Sequence, residues 1–245
     1  MTPEGEQLLL EGLNALGIHP DGRAVNRFAF LLALLHEGNA RVNLTALKTE
    51  RDIVLKHFVD SASCLIGGHL ASGEQVLDIG TGAGFPALPL AILDPARQIT
   101  ALDSVGKKIK FVDATASALE LDRITALTGR AEHLGRNAEH RATYDRVVVR
   151  AVAALPAIVE LALPLLKVGG VLVAQKGALT SDELDAGAQA ALELGGLIVA
   201  TETFTLPVLG DARSLIVVKK TGATSARYPR REGVPARQPL FWKAK

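Results

Sequence analysis

The sequence has little cysteine and little excess charge. Cys64 is the single cysteine among 245 residues, which excludes a disulfide framework or a cysteine-based zinc site within one chain. The formal net charge is only +1, so total charge does not indicate a nucleic-acid partner. Such a partner has to be argued from where the basic residues sit. The six histidines are scattered, and we expect no metal site.

The signals for membrane insertion or export are also missing. No uninterrupted apolar stretch reaches the roughly 18 residues of a membrane span. Glu4 and Glu6 precede the first leucine run, whereas a signal peptide begins with basic residues. We therefore expect a soluble, cytoplasmic protein with no membrane partner.

The residues that are present favour one large α/β domain. Hydrophobic residues make up 48% of the chain, enough for a sizeable core. Apolar periodicity predicts amphipathic helices over residues 5–18 and 23–36, and Thr49 is expected to cap a third helix. The predicted strands are residues 75–80, 98–103, 124–130, 144–152, 169–177, 197–206 and 212–220.

Helical patterns separate the first five of these strands, and the last two read as a hairpin. This order predicts a Rossmann-like fold with a mostly parallel seven-stranded sheet and helices on both faces. The predicted division is a helical extension over residues 1–70, a core domain over 71–220 and a basic C-terminal tail over 221–245.

A glycine-rich loop, DIGTGAGFP (78–86), follows the first predicted strand. A Walker loop would need lysine after its last glycine, but Gly84 is followed by Phe85 and proline. A dinucleotide fingerprint would need a third glycine where Phe85 stands. The loop instead resembles the acidic-x-Gly-x-Gly-x-Gly first motif of Rossmann-like, S-adenosylmethionine-dependent methyltransferases. Asp78 would be its acid, and a carboxylate suits a zwitterionic amino acid that carries a sulfonium.

Acidic residues after the next two strands support this interpretation. Asp103 ends the second strand about 20 residues beyond the loop, where an acid can accept both ribose hydroxyls. Ala131 and Glu132 follow the third strand, where such enzymes often contact the adenine. Glu132 alone could also be a surface acid.

The end of the fourth strand is the expected place for chemistry, and it carries Arg150. The Asn/Asp-Pro-Pro-aromatic motif of exocyclic amino methylation is absent there, and Cys64 is expected in the core rather than as a nucleophile. With no visible base, the acceptor should need no deprotonation, as is true of guanine N7. Arg150 could bond the guanine edge, hold the cofactor, or pair with a nearby acid.

Several sequence blocks, spread over nearly the whole chain, resemble the motifs of one family and follow in the same order. They are VNLTAL (42–47), KHFVDS (56–61), VLDIGTGAGFPALPLAI (76–92), LDSVGKKIKF (102–111), VVVRAVA (147–153), QKG (175–177) and YPRREGVPARQPL (228–240). They resemble the bacterial small-subunit ribosomal RNA guanine-N7 methyltransferase G family, also called glucose-inhibited division protein B. The resemblance implies a monomeric enzyme that methylates N7 of one guanine in small-subunit (16S) rRNA.

The residues expected at the site follow from the motifs and the resemblance. The expected cofactor-binding residues are Asp78, Gly80, Gly82, Gly84, Phe85, Asp103, Ser104, Val105, Ala131, Glu132 and Arg150. Arg150 is also the expected catalytic residue, acting by positioning rather than as a base. A noncatalytic S-adenosylmethionine-binding RNA-binding protein, or a methyltransferase of another RNA, remains an alternative.

Basic residues near the predicted site suggest contacts with RNA phosphates. The expected RNA-binding residues are Lys107, Lys108, Lys110, Lys176, Arg230 and Arg231. Arg227, Arg237 and Lys243 add charge to the tail, where Tyr228, Phe241 or Trp242 could stack on unpaired bases. The alternative is a solvated helix face and a tail without a partner. Asn43, Thr45, His57 and Asp60 are expected to serve as caps and structural hydrogen bonds.

Overall fold

The computed structural model describes residues 1–150 and 153–242. Two helices open the chain: α1 (Pro3–Ala15), whose Thr2 cap accepts from the amide of Gly5, and α2 (Gly22–Arg41), whose Asp21 cap accepts from the amide of Ala24. These side chains satisfy amide groups that a helix leaves without partners at its start. Both predicted helices are present, and α2 extends five residues beyond its predicted end.

A run of short helical segments follows, and Thr49 caps it as predicted. The run consists of α3 (Glu50–Ile53), a π-helical turn (Val54–Val59), α4 (Asp60–Ala62) and a 3-10 segment (Ser63–Gly68). A π-helical turn inside a helix often marks a functional position. Here it carries His57.

The core is a seven-stranded sheet with the order β3-β2-β1-β4-β5-β7-β6. Its strands are β1 (Gln75–Ile79), β2 (Gln98–Asp103), β3 (Ile124–Thr128), β4 (Tyr144–Arg150), β5 (Leu166–Lys176), β6 (Gly196–Thr205) and β7 (Ala212–Lys220). The first five strands are parallel, and β7 pairs antiparallel with both β5 and β6. The predicted seven-stranded, mostly parallel sheet and its terminal hairpin are confirmed.

Helices α5 to α10 complete the fold. They are α5 (Ala87–Leu93), α6 (Gly106–Ala118), α7 (Ala131–Leu134), α8 (Leu155–Ala162), α9 (Ser181–Glu193) and α10 (Val234–Arg237), with a 3-10 turn (Leu163–Leu165) after α8. No helix in these described ranges combines the length and hydropathy that crossing a bilayer requires.

Alternate side chains of each strand supply two hydrophobic clusters, one on each face of the sheet. Val76 packs with α1, α2 and α5 in one cluster, and its neighbour Leu77 packs with α8 and α9 in the other. Helices therefore cover both faces, as the sequence predicts. The boundaries at residues 70 and 220 stay a prediction, since the helices of the first segment share one hydrophobic cluster with the sheet.

The strand order reverses between β1 and β4, which places a crevice at the carboxyl ends of these two strands. The loops after β1, β2, β3 and β4 meet at this edge, because parallel strands end on the same side. Candidate residues that lie far apart along the chain, from Gly80 to Arg150, are thereby brought to the same edge of the sheet.

Candidate functional site

The glycine loop follows β1 and needs backbone conformations that favour glycine. Gly80, Gly82 and Gly84 all have positive φ, at 75°, 59° and 95°. A Cβ on Gly84 would also clash with the Leu88 side chain. The amides of Gly80 and Thr81 both donate to the carbonyl of Leu102, at 2.8 and 3.0 Å, which fixes the loop against β2.

Asp78 supports this loop from the protein interior. Its side chain is 0% exposed, and its Oδ2 accepts a 3.0 Å hydrogen bond from the amide of Ala87 in the first turn of α5. Burial raises the pKa of the carboxyl to about 7, although the Thr81 hydroxyl and the Ala87 amide act in the opposite direction. Asp78 thus joins β1 to α5, and its predicted part in cofactor binding stays a prediction.

A cavity of about 350 Å³ lies beside the loop, within the size range of small-molecule sites. Its lining residues are Ile79, Gly80, Leu102, Asp103, Ser104, Gly129, Arg130, Ala131, Glu132, Ala153, Leu161, Gly233 and Ala236. The structure therefore brings five of the expected cofactor residues together here: Gly80, Asp103, Ser104, Ala131 and Glu132.

Sequence reasoning missed the remaining lining residues. Leu161 belongs to α8, and its apolar pattern indicated only a buried helix. Gly233 and Ala236 lie in the C-terminal segment. The YPRREGVP block that contains Gly233 was the available signal, but its basic residues pointed to RNA instead.

Two acidic side chains of the cavity are held by backbone amides. Asp103 accepts from the amide of Gly82 at 2.9 Å and from the amide of Val105 at 2.8 Å. Glu132 is 6% exposed and accepts from the amide of Gly233 at 2.8 Å. Glu132 is therefore a buried residue, which excludes the alternative of a plain surface acid.

Phe85 ends the loop in an aromatic cluster. Its ring stacks on His57 with centroids 4.4 Å apart and planes 10° from parallel, and it tilts against Phe58 at 6.1 Å. The guanidinium carbon of Arg150 lies 5.8 Å from the Phe85 centroid, within the range of a cation–π contact. Phe85 is buried rather than part of the 350 Å³ cavity lining, so its predicted role as a cofactor wall stays a prediction.

Arg150, at the end of β4, is paired with an acid 90 residues earlier in the chain. Its Nη1 lies 3.0 Å from Oδ2 of Asp60 and donates to the carbonyl of Lys56 at 2.8 Å. Asp60 also accepts from Arg213 Nε at 2.8 Å. Both partners of the Arg150–Asp60 pair are largely buried, so the pair keeps a cation fixed at the β4 end. The expected positioning role of Arg150 stays a prediction.

His57 completes this group as a neutral imidazole. Arg150 Nη2 donates to its Nδ1 at 3.3 Å. Because arginine only donates, Nε2 carries the ring proton toward the Thr45 hydroxyl at 2.7 Å. Burial, and then the charge of Arg150, lower the pKa of His57 to about 3. Thr45, His57 and Asp60 thus make the structural hydrogen bonds expected of them.

Cys64 is fully buried, as predicted, and its Sγ contacts Gln175 at 3.4 Å. Burial raises the pKa of its thiol, which disfavours the thiolate that a nucleophile requires. The structure thus gives no support to a covalent mechanism through this cysteine.

The predicted RNA-binding residues have different surroundings. Lys107 and Lys110 are exposed and Lys108 is half-buried, all in the first turns of α6 next to the cavity residue Ser104. The Lys176 ammonium donates to the carbonyl of Ala153 at 2.8 Å and forms an ion pair with Glu183 at 2.9 Å.

Arg230 pairs with Glu160, whereas Arg231 is exposed. Lys243 lies outside the described residues. RNA contact by all of these residues stays a prediction.

Comparisons with solved structures show the fold. M. jannaschii TYW2 in complex with AdoMet aligns with a TM-score of 0.51 and 15% identity, over 62% of this chain and 72% of that one. TrmN from Thermus thermophilus aligns with a TM-score of 0.51 and 23% identity, over 68% of this chain and 53% of that one. The Rossmann-like methyltransferase fold predicted from the sequence is confirmed.

Comparisons with curated sequences are closer. The proteins named ribosomal RNA small subunit methyltransferase G of Deinococcus radiodurans and Deinococcus deserti are each 62% identical over 245 residues, which is all of this chain and 96% and 100% of theirs. The namesake of Roseiflexus castenholzii is 42% identical over 234 residues, 95% of this chain and 99% of its own.

The family model described as rRNA small subunit methyltransferase G matches residues 24–206. This match confirms the resemblance drawn from the sequence blocks. The chain belongs to the rRNA small subunit methyltransferase G family of S-adenosylmethionine-dependent methyltransferases.

Proposed function

We propose that this chain transfers a methyl group from S-adenosylmethionine to N7 of a guanine in small-subunit (16S) ribosomal RNA. The observation that carries the proposal is the cavity at the carboxyl ends of the strands, where the glycine loop, Asp103 and Glu132 meet, in a chain of this family. The enzyme is further proposed to work as a monomer, as the resemblance implies, and in the cytoplasm, as the sequence analysis expects.

The cavity residues fit S-adenosylmethionine in size and chemistry. Asp103 is half-buried and offers carboxylate oxygens that can accept ribose hydroxyls. Ile79, Leu102 and Leu161 supply an apolar lining, and Glu132 adds an acceptor at the same wall. These residues would hold the cofactor, which supplies an electrophilic methyl group on a sulfonium.

The protein's own part in the chemistry is alignment. In the described residues, His57 has a pKa of about 3 and the raised pKa of Cys64 disfavours its thiolate, so neither side chain is poised as a base near neutral pH. Guanine N7 carries a free lone pair, and its methylation needs no proton removed beforehand. Arg150, fixed by Asp60, can donate to the guanine edge and thereby orient the base for transfer.

The surface beside the cavity supports an RNA substrate. Lys107, Lys108 and Lys110 lie three to six residues after Ser104, in the first turns of α6, so their charges lie at the rim of the proposed site. Lysines at this position would contact phosphates and thereby place a base over the cavity without reading its sequence.

A methyl-transfer assay tests the proposal. The full chain is incubated with S-adenosylmethionine that carries a radiolabelled methyl group and with unmodified small-subunit rRNA, either naked or assembled into subunits. We expect label on one guanine at N7, mapped by cleavage at the modified base, and none on large-subunit rRNA. Absence of label from every small-subunit form, with S-adenosylmethionine still bound, would favour a noncatalytic RNA-binding protein; label on another RNA would change the substrate.

A further inference from the structure

The C-terminal segment over residues 228–237, the strap, folds back onto the 350 Å³ cavity beside the glycine loop, which is the proposed cofactor cavity. Gly233 and Ala236 line this cavity together with residues that follow β1, β2 and β3. Ala236 also lines a second, larger opening of about 1200 Å³ next to Arg237 and Trp242. The strap therefore lies at the border between the cofactor cavity and the outer surface.

A buried ion pair anchors the strap to α8. Glu160 is 0% exposed, and its carboxylate accepts from the Arg230 side chain at distances of 2.6 to 3.0 Å and from the Arg230 amide at 2.8 Å. Breaking one partner of such a pair leaves a buried charge without compensation. Arg230 thus has a structural partner that holds the strap in place.

Two arginines in the segment after α7 hold the strap backbone on its other side. Arg136 Nε donates to the carbonyl of Pro229 at 2.9 Å, and Arg141 Nη1 donates to the carbonyl of Tyr228 at 2.8 Å. The hydroxyl of Tyr228 donates to Glu193 of α9 at 3.1 Å. The strap is therefore tied to three parts of the core that lie far from it in sequence.

The contact with the cavity itself runs through Glu132. The amide of Gly233 donates to Glu132 Oε1 at 2.8 Å, and Gly233 has a φ of 72° that favours glycine. A Cβ at this position would also come within 2.7 Å of the Arg237 guanidinium. The strap thus meets the same carboxylate that sequence reasoning assigns to the adenine.

We propose that the strap forms the wall of the cavity at the adenine end, and that Gly233 and Ala236 determine which ligand fits there. The ligand class is the adenine portion of S-adenosylmethionine, so this inference rests on the proposed function. The small residues Gly233 and Ala236 define the shape of this wall, and Glu132 supplies a hydrogen-bond acceptor beside it. The ion pair between Arg230 and Glu160 holds the strap in place.

Paired substitutions test the wall. Ala236 is exposed at the border of the cavity, so Ala236→Phe places a large side chain there, whereas Ala226→Phe places the same side chain at another exposed position of the C-terminal segment that is not part of the cavity lining. Calorimetric titration with S-adenosylmethionine should show a Kd raised at least about tenfold for Ala236→Phe, because the added ring would occupy space that the ligand needs at the cavity border. The Kd of Ala226→Phe should stay within about twofold of the wild-type value.

A Kd for Ala236→Phe that matches the control would overturn the inference, provided that both variants show wild-type thermal unfolding. If Ala236→Phe does not fold, the wild-type chain still gives an answer through limited trypsin digestion. Cleavage after the exposed residues Arg231 and Arg237 should slow at least about fivefold with saturating S-adenosylmethionine, because a ligand stabilises the state that it binds.

Equal cleavage rates with and without the ligand would also overturn the inference. A wild-type chain that binds no S-adenosylmethionine in the calorimeter would instead overturn the proposed function, and the inference with it. The two failures are therefore distinguishable by the wild-type titration alone.

Discussion

Asp103 accepts a 2.9 Å hydrogen bond from the amide of Gly82, which lies 21 residues earlier in the chain. The other oxygen of the same carboxylate accepts from the amide of Val105. One side chain at the end of β2 therefore fixes both the glycine loop and the start of α6. The residue that is proposed to hold the ribose also shapes the loop beside it.

Asp103→Ala should abolish detectable binding of S-adenosylmethionine. The substitution removes the proposed acceptor of the ribose hydroxyls and also leaves the amides of Gly82 and Val105 without their partner. A hydrogen bond to a charged group contributes about 1.5 to 3 kcal/mol, so the combined loss should exceed a hundredfold in Kd. Calorimetric titration gives the Kd directly.

Asp103→Asn is the matched control, because its amide oxygen keeps one acceptor in the same place. We expect this variant to retain weaker binding that is measurable. Equal affinity in the wild type and Asp103→Ala would contradict the proposed role.

Arg150→Ala should lower methyl transfer about 10- to 100-fold, since it removes a charge-assisted donor from the β4 end. Single-turnover rates at saturating S-adenosylmethionine measure the effect. Arg213→Ala is the comparison, because it takes the other arginine away from Asp60 and leaves Arg150 in place. Unchanged transfer in a folded Arg150→Ala variant would eliminate its positioning role.

The local features of this fold could be predicted from the sequence, because their signals lie close together along the chain. Thr49 and the glycines of the loop act within a few residues, and a strand such as β1 is a short apolar run. The end of α2 was predicted five residues too early, because a polar stretch that includes glycine and asparagine, two residues of low helix propensity, follows Leu35. Gly38 instead gives room to Phe111, which a Cβ there would approach to 2.7 Å.

The pairings that complete the site could not be predicted, because no local pattern encodes them. Arg150 forms an ion pair with Asp60, 90 residues away in the chain, and Arg230 forms one with Glu160, 70 residues away. Their distances depend on the strand order and on where the C-terminal segment packs. Sequence reasoning could name Arg150 and Arg230 as candidates but could not show that acids already hold them.

The stability of the protein should depend on pH through Asp78. Burial raises its pKa from 3.8 to about 7, so the folded chain retains a proton that the unfolded chain releases between these values. The folded state therefore binds more protons in this window, and stability falls as the pH rises from about 4 to 7. Each unit of the shift corresponds to about 1.4 kcal/mol.

Asp78→Asn isolates this effect, because an amide cannot ionise yet can still accept from the amide of Ala87. The free energy of unfolding, measured by denaturant titration from pH 4 to 8, should increasingly favour the variant as the pH rises to about 7 and then level off. A constant difference between variant and wild type over this range would show that Asp78 does not titrate in it.

The lysines of α6 should control RNA affinity without affecting the cofactor. Replacing Lys107, Lys108 and Lys110 with alanine removes three positive charges beside the cavity residue Ser104, whereas no lysine of residues 1–150 and 153–242 lines the cavity. Each lost phosphate contact lowers the slope of log K against log salt by about 0.7 to 0.9, so the triple variant should lose about 2 to 3 from the slope. Affinity for S-adenosylmethionine should stay unchanged.

Lys219→Ala controls for a general loss of charge. Lys219 is exposed near the end of β7, and because β7 runs antiparallel to β5 it lies at the opposite edge of the sheet from the cavity. RNA that binds at the cavity edge should not respond to this change. An equal change in the salt slope per charge removed, in the triple variant and in Lys219→Ala, would contradict the prediction. The α6 lysines would then attract RNA only through their contribution to the overall charge, and RNA contacts at the cavity rim would have to be assigned to other residues.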